Sequence, residues 1–346
     1  RREGRDSGKE TRVKGEVAPE AGERTREEAE VRAGKAAKGE AEERAGEYRP
    51  RVSAVIPNWH RKDDLREALL AIKAQTYPVE EIIVVDNNSQ DGTRDMVREE
   101  FPEVLFIQSP HNIVIQALNI GAKTASGDII LHQDNDGVLA PDAVERMVKV
   151  FASDPRIAVV HSKNLYYDTG EVFDPMRWFT PEEHASEGVF DVPSFHGNGA
   201  MIRRDVLEEI DYIEPEIQLY QFERNISAKA IDRGYRIVYH PGSVIRHKIS
   251  REVRNPGHRL YITMTGGWWY LARFYPLGKA LEKSLYYLVF FVLYSIKHRT
   301  WRDFFRGIAD TLLGLPQVLR GRRVVSRDTV RKLKNKPYET SMILYG

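Results

Sequence analysis

The chain has 346 residues, enough for one large domain or two smaller ones with a substantial core. Lys and Arg number 52 against 51 Asp and Glu, a formal net charge of +1, so no global field argues for nucleic acid or another polyanion as partner. Cysteine is absent, which excludes disulfides and thiolate metal sites and leaves the redox compartment unread.

Residues 1–49 alternate Glu, Arg, Lys, Gly and Ala, with Tyr48 as their only aromatic. Such a segment buries too little apolar surface to offset its ordering entropy, and we expect a disordered tail. No apolar stretch near the start resembles a signal peptide, so the expected location is cytoplasmic. From Arg51 the texture changes. Val52 to Pro57 reads as a strand, and Asp63-Asp64 is expected to cap an amphipathic helix through Leu65, Leu69, Leu70 and Ile72. Ile82 to Val85 reads as a buried strand ending at Asp86-Asn87-Asn88-Ser89, and Asp91-Gly92-Thr93 turns the chain into a helix, Arg94 to Glu100. A strand at Val104 to Ile107, a helix at Ile115 to Thr124 and a strand at Asp128 to Leu131 follow. Pro141-Asp142-Ala143 opens a helix to Phe151, and Ile157 to Val160 adds a strand. Apolar runs alternating with helical segments imply an α/β fold with a mainly parallel sheet covered on both faces.

The stretch 161–250 holds aromatics (Tyr166, Tyr167, Phe173, Trp178, Phe179), the Gly-rich His196-Gly197-Asn198-Gly199, a helix near Glu223 to Arg233 and a strand at Arg236 to Tyr239. After Arg251 the character shifts. Trp268-Trp269-Tyr270 leads to an apolar run, Leu285 to Ile296, between Lys283 and Lys297, too short to span a bilayer of about 20 residues. A basic tail follows, with Arg299, Arg302, Arg306, Arg320, Arg322, Arg323, Arg331, Lys332, Lys334 and Lys336. The chain therefore divides into a tail at 1–49, an α/β domain at 50–250 and a helical region at 251–346. Interfacial aromatics beside basic residues lead us to expect that region on an anionic membrane surface, with a helical subdomain or homo-oligomer interface as the alternative.

Asp134-Asn135-Asp136 stands just after the apolar run Ile129-Ile130-Leu131. In open α/β sheets ligands bind outside the carboxyl ends of the strands. Two carboxylates at such an end can share a hard divalent cation, which takes oxygen ligands and keeps places for phosphate oxygens.

Taken together, strand-Pro57-Asn58, Asp86-Asn87-Asn88-Ser89-Gln90-Asp91-Gly92-Thr93, Asn119-Ile120-Gly121 and Asp134-Asn135-Asp136 occur in an order that resembles the family 2 glycosyltransferases of GT-A fold, especially the rhamnosyltransferase-like branch. Ala74-Gln75-Thr76-Tyr77-Pro78, Gly199 to Arg204 and Gly234-Tyr235-Arg236-Ile237 leading to His247 extend the likeness from about Val52 to His247. The resemblance implies a transferase using a nucleotide-diphosphate sugar. Asp134 and Asp136 would hold Mg²⁺ or Mn²⁺, Asp136 the more direct ligand and Asp134 also meeting the ribose. His247 would complete the metal site or meet the diphosphate. Asp86 would accept from the base, Pro57 and Asn58 would line its other side, and Asn88 and Asn119 would belong to the same donor site.

Inversion at the anomeric carbon needs a carboxylate to take the acceptor proton. The family supplies it from a Glu-Asp pair, with a further Asp two residues later. Counted back from Gly234, these positions hold Phe222-Glu223 and Asn225, which leaves Glu223 as the catalytic base, with Glu214 or Glu216 as fallbacks. Ile113-Val114 also departs from the family, which has a glycine soon after Asn112. The resulting expectation is an inverting, metal-dependent hexosyltransferase acting on a hydroxyl of a cell-surface glycan or lipid-linked acceptor, peripheral on the inner face of the cell membrane. Its rivals are a polyprenyl-phosphate sugar synthase and a non-catalytic nucleotide-sugar or glycan-binding homologue, the latter motivated by Phe222 and Asn225.

Overall fold

The computed structural model describes residues 48–174, 178–217, 221–248 and 255–333. The tail expected at 1–49 lies outside them up to residue 47, as do Lys334 and Lys336. From Val52 the chain runs β1 (Val52–Asn58), α1 (Lys62–Lys73), β2 (Glu81–Asp86), α2 (Thr93–Glu100), β3 (Leu105–Gln108), α3 (Gln116–Thr124) and β4 (Ile129–His132). It continues through β5 (Gly137–Leu139), α4 (Ala143–Ser153), β6 (Ile157–Tyr166), α5 (Pro181–His184), β7 (Phe190–Asp191), β8 (Ala200–Arg203) and α6 (Arg204–Glu209). Next come α7 (Phe222–Asp232) and β9 (Arg236–His247), then α8 (Pro256–Phe274), α9 (Leu277–His298), α10 (Trp301–Arg320) and α11 (Arg327–Lys332).

The strands form one sheet in the order β3-β2-β1-β4-β8-β6-β9-β5, with β7 also on β9. β3, β2, β1 and β4 run parallel, so their carboxyl ends open on one edge. β8 returns antiparallel between β4 and β6, while β6 and β9 pair parallel with register shifts. Alternation along the strands feeds two cores. Val55, Ile83 and Val85 pack with Leu118 of α3 and Ile226 of α7 on one face. Ala54, Ile56 and Val84 pack with Leu65 and Leu69 of α1, Val97 of α2 and Met147 of α4 on the other. Each fully buried Leu contributes roughly 1.5–3 kcal/mol, and covering both faces satisfies what a parallel sheet requires.

Three expectations change. β5, β7 and β8 are strands of two to four residues, too short to carry a periodic signal, and β6 and β9 run well past the apolar cores that marked them. Asp63 and Asp64 lie in the first turn of α1 rather than at its cap; Arg61 is the N-cap residue, in the left-handed region. The Asp91 carboxylate receives Lys62 N at 3.0 Å instead, so the second loop supplies an acceptor to the start of the first helix. The run Leu285 to Ile296 sits within the 22-residue α9, which packs with α8 and α10 through Tyr287, Phe291 and Tyr294. Among the described residues no helix is long and apolar enough to cross a membrane.

Candidate active site

The site forms where β1, β2 and β4 end. Parallel register places Asn58 beside Asp86, and the Asn58 amide donates to Asp86 Oδ1 at 2.7 Å while its Oδ1 receives Asn135 Nδ2 at 2.7 Å. Asp86 is buried and also accepts Ser89 Oγ at 2.6 Å and Ser89 N at 2.8 Å. A carboxylate has about four acceptor positions, so one remains for a ligand beside this capping role. Asn88 lies in the left-handed region and accepts from Gln90 and Gln108. Asn87 fixes the adjoining loop by accepting Ile113 N at 3.0 Å. There Val114 adopts φ 52°, the backbone region for which a glycine is suited. Asn119 is committed elsewhere: its amide donates to Ile213 O at 2.7 Å and accepts Ile213 N at 3.0 Å, tying α3 to the segment before α7. Its side chain serves the fold.

After β4 the chain turns through Asp134-Asn135-Asp136 into β5. Antiparallel pairing of β5 with β9 sets Gly137 opposite His247, which is how a histidine more than a hundred residues on reaches Asp136. His247 Nε2 lies 3.1 Å from Asp136 Oδ1. Arg61 forms an ion pair with the other oxygen. Burial alone would raise the Asp136 carboxyl; His247 and the Arg61 guanidinium outweigh it and hold the group below the usual carboxylate range. Asp134 is the more open residue, 44% exposed against 7% for Asp136, and its N–H donates to Asn198 Oδ1 at 3.1 Å.

Asp134, Asp136 and His247 present ligand atoms within 4.8 Å of one another. Two ligands bound at about 2.1 Å and at right angles to one another stand about 3.0 Å apart, which the Asp136–His247 separation matches. Two carboxylates and one imidazole suit Mg²⁺ or Mn²⁺ and leave positions for phosphate oxygens. The residues fit such an ion.

Glu223 lies in the first turn of α7, beside this cluster. Its Oε2 is sealed from solvent and makes no hydrogen bond among the described residues. Burial pushes its carboxyl up to about 8, and the Asp134 charge adds to the rise. Glu214 is held by Lys229 at 2.8 Å and Glu216 pairs with Arg273, so both fallback bases are engaged in ion pairs. Phe222, at the position of the family's first acid, packs edge-on against buried His132, ring centroids 5.2 Å apart. A Cβ at Gly197 would lie 2.3 Å from the Phe222 ring and 3.1 Å from His132, so the Gly-rich turn is drawn tightly over this pair. Asn225 is fully buried, and its amide makes no hydrogen bond among the described residues. Of the aromatics before α7, Trp178 and Phe195 are core, and Phe179 stacks on Tyr239 at 4.1 Å. Sequence reasoning missed Arg61 and Asn198. Asn198 lay in a stretch already flagged by its glycines, whereas nothing in the local pattern marks Arg61.

Comparison with known proteins follows the same lines. The model of Glycosyl transferase family 2 matches residues 53–211. The O-antigen chain rhamnosyltransferase RfbN of Salmonella typhimurium is 28% identical over 236 residues, 62% of this chain and 71% of that protein. The uncharacterized glycosyltransferase alr2836 of Nostoc sp. is 28% identical over 182 residues, and the aligned part is 48% of this chain and about half, 54%, of that relative. Among solved structures, the mannosyltransferase PcManGT from Pyrobaculum calidifontis, in complex with GDP-Man and Mn²⁺, superposes with a TM-score of 0.54 at 21% identity, covering 86% of this chain and 87% of its own. GalNAc-T7 with UDP, GalNAc and Mn²⁺ gives 0.55 at 17%, covering 66% and 49%. The fold is therefore that of the GT-A glycosyltransferases, an α/β sheet with its acidic cluster at the strand ends. Residues 53–211 are the part of the chain that carries the glycosyl transferase family 2 domain.

Proposed function

We propose that this glycosyltransferase is inverting and metal-dependent, moving a sugar from a nucleoside-diphosphate donor to a hydroxyl of a glycan or lipid-linked acceptor. The observation that carries the reading is the grouping of Asp134, Asp136 and His247 beside a buried Glu223 whose Oε2 makes no hydrogen bond among the described residues. Asp134, Asp136 and His247 would hold Mg²⁺ or Mn²⁺, which would supply Lewis-acid stabilisation of the departing diphosphate. Asp86 and Asn58, with Pro57 just before Asn58 in β1, form the edge on which a base would lie, and Asn88 shapes the turn beside it. Glu223 takes the acceptor proton. Burial brings its carboxyl up to about 8, near the working pH at which a general base is most effective, and it acts in its ionised form. Phe222 replaces a second acid with packing against His132, so Glu223 works alone. Purified chain incubated with UDP-, GDP- and dTDP-sugars and Mn²⁺ tests the reading: release of nucleoside diphosphate that EDTA abolishes supports it. Metal-dependent donor binding without turnover supports the binding homologue instead.

In this reading residues 50–250 form the catalytic domain and 251–346 a region that meets the inner face of the cell membrane. Leu277, Leu281, Leu285, Val289, Leu293 and Ile296 make a continuous exposed row on α9, each more than half exposed. Phe305, Leu312 and Leu313 of α10 are also exposed, and Lys297, Arg299, Arg302, Arg306 and Arg320 stand exposed around them. Apolar side chains bordered by cations match an anionic lipid surface, with about 1 kcal/mol per basic residue near it. Flotation with anionic liposomes, and its loss with neutral ones, tests this; a concentration-dependent dimer that floats with neither would contradict it.

A further inference from the structure

Arg61 holds a place that the proposed chemistry has not used. It follows His60, and both residues lie in the left-handed region at φ 61° and 55°. Two such residues in succession without glycine are uncommon, and the loop is fixed from several sides. His60 N donates to Ser89 Oγ at 2.7 Å, Asn135 Nδ2 donates to His60 O at 3.3 Å, and Lys62 N donates to Asp91 at 3.0 Å. This path brings the guanidinium over the acidic loop. Nε donates to Asp64 Oδ2 at 2.7 Å, one terminal nitrogen donates to Asp136 Oδ2, and the other reaches Lys248 O at 3.3 Å. Lys248 is itself held by Asp64 at 2.8 Å and by Glu67. The Arg61 side chain is 36% exposed, while the Asp136 carboxylate beneath it is 7% exposed. Arg61 therefore stands on the solvent side of the most buried carboxylate in the proposed metal site.

Asp136 then has two claimants. A divalent cation bound there would face a guanidinium at contact distance of the same carboxylate, and like charges so close repel. A diphosphate offers paired oxygens that suit the planar fork of an arginine at least as well as a carboxylate does. Resting on the metal site proposed above, we infer that Arg61 is an exchangeable counter-cation: it neutralises Asp136 until the donor's diphosphate takes it over, so that metal and donor binding are positively coupled. By linkage the coupling is reciprocal, each ligand raising the affinity for the other by the same factor.

Free Mn²⁺ measured by electron paramagnetic resonance, on the full chain with and without UDP or GDP, tests this. In Arg61→Gln, Mn²⁺ alone should bind about tenfold more tightly than in the parent, and the enhancement given by nucleotide should shrink by about the same factor. Arg61→Lys keeps the charge and loses the fork, so Mn²⁺ alone should bind as in the parent while the nucleotide enhancement falls. Equal Mn²⁺ affinity in the parent and Arg61→Gln overturns the inference while leaving the metal site standing. Absence of Mn²⁺ binding in all three proteins, with and without nucleotide, removes the metal site and the inference with it.

Discussion

Glu223 shows how far one side chain can be displaced from its solution chemistry. It lies in the first turn of α7, where the helix dipole favours a carboxylate, yet burial and the Asp134 charge raise it to about 8. An unfolded chain releases that proton near 4.5, the folded one near 8, so stability falls as pH rises across this window. Glu223→Gln abolishes the titration. Calorimetry should therefore show the variant melting above the parent at pH 7–8, with the difference vanishing below about pH 4.5. A mere helix-capping role predicts a lower melting temperature in the variant throughout. Asp136 makes the opposite case, a carboxylate held ionised. Asp136→Ala should remove Mn²⁺-dependent donor binding in titration calorimetry with the circular dichroism spectrum kept; unchanged, metal-independent affinity in parent and variant would contradict the assignment. At Val114 the departure from the family is visible as backbone strain. Its side chain is 39% exposed and packs little, so Val114→Gly should raise stability by about 0.5–1 kcal/mol in urea unfolding.

At the scale of elements, legibility followed hydrophobic length. β1, β2, β4, α1 and α3 announce themselves by apolar runs or 3.6-residue periodicity and were expected within a residue or two. β5 and β8 hold three and four residues and owe their existence to partners, β9 for one and β4 and β6 for the other. No local pattern could show them. Asp136 and His247 were each legible as residue types, but the β5–β9 register that joins them was not. Asn119 stood in a motif that pointed to the donor, while its amide was already committed to Ile213 across the chain. The α9 run read as apolar all round because it is so: Tyr287, Phe291 and Tyr294 face the helical core and the leucine row faces out. Replacing Leu285 and Leu293 with Ser alters only the outward row. If that row meets lipid, the double variant should lose liposome flotation and keep its melting temperature; retained flotation would place the contact elsewhere.

Across the whole molecule, the site exists because one edge of the sheet gathers chain segments that lie far apart in sequence. β1 brings Asn58, β2 brings Asp86, the turn after β4 brings Asp134 and Asp136, α7 brings Glu223 and β9 closes the cluster with His247. Strand register sets Asn58 beside Asp86 and Asp136 beside His247, and Asn198 ties Asp134, so the chemistry is a property of the fold. The proposed function divides the labour: the strand ends and the acidic cluster would hold the donor, and Glu223 would act on the acceptor. Comparing turnover and donor affinity in Glu223→Gln, at saturating Mn²⁺ and with whichever nucleotide sugar the parent uses, measures that division directly. A general base contributes about 10²- to 10⁴-fold, so kcat should fall by that order while the donor dissociation constant stays within about twofold. Turnover kept near the parent's, or donor affinity lost together with it, would contradict the account.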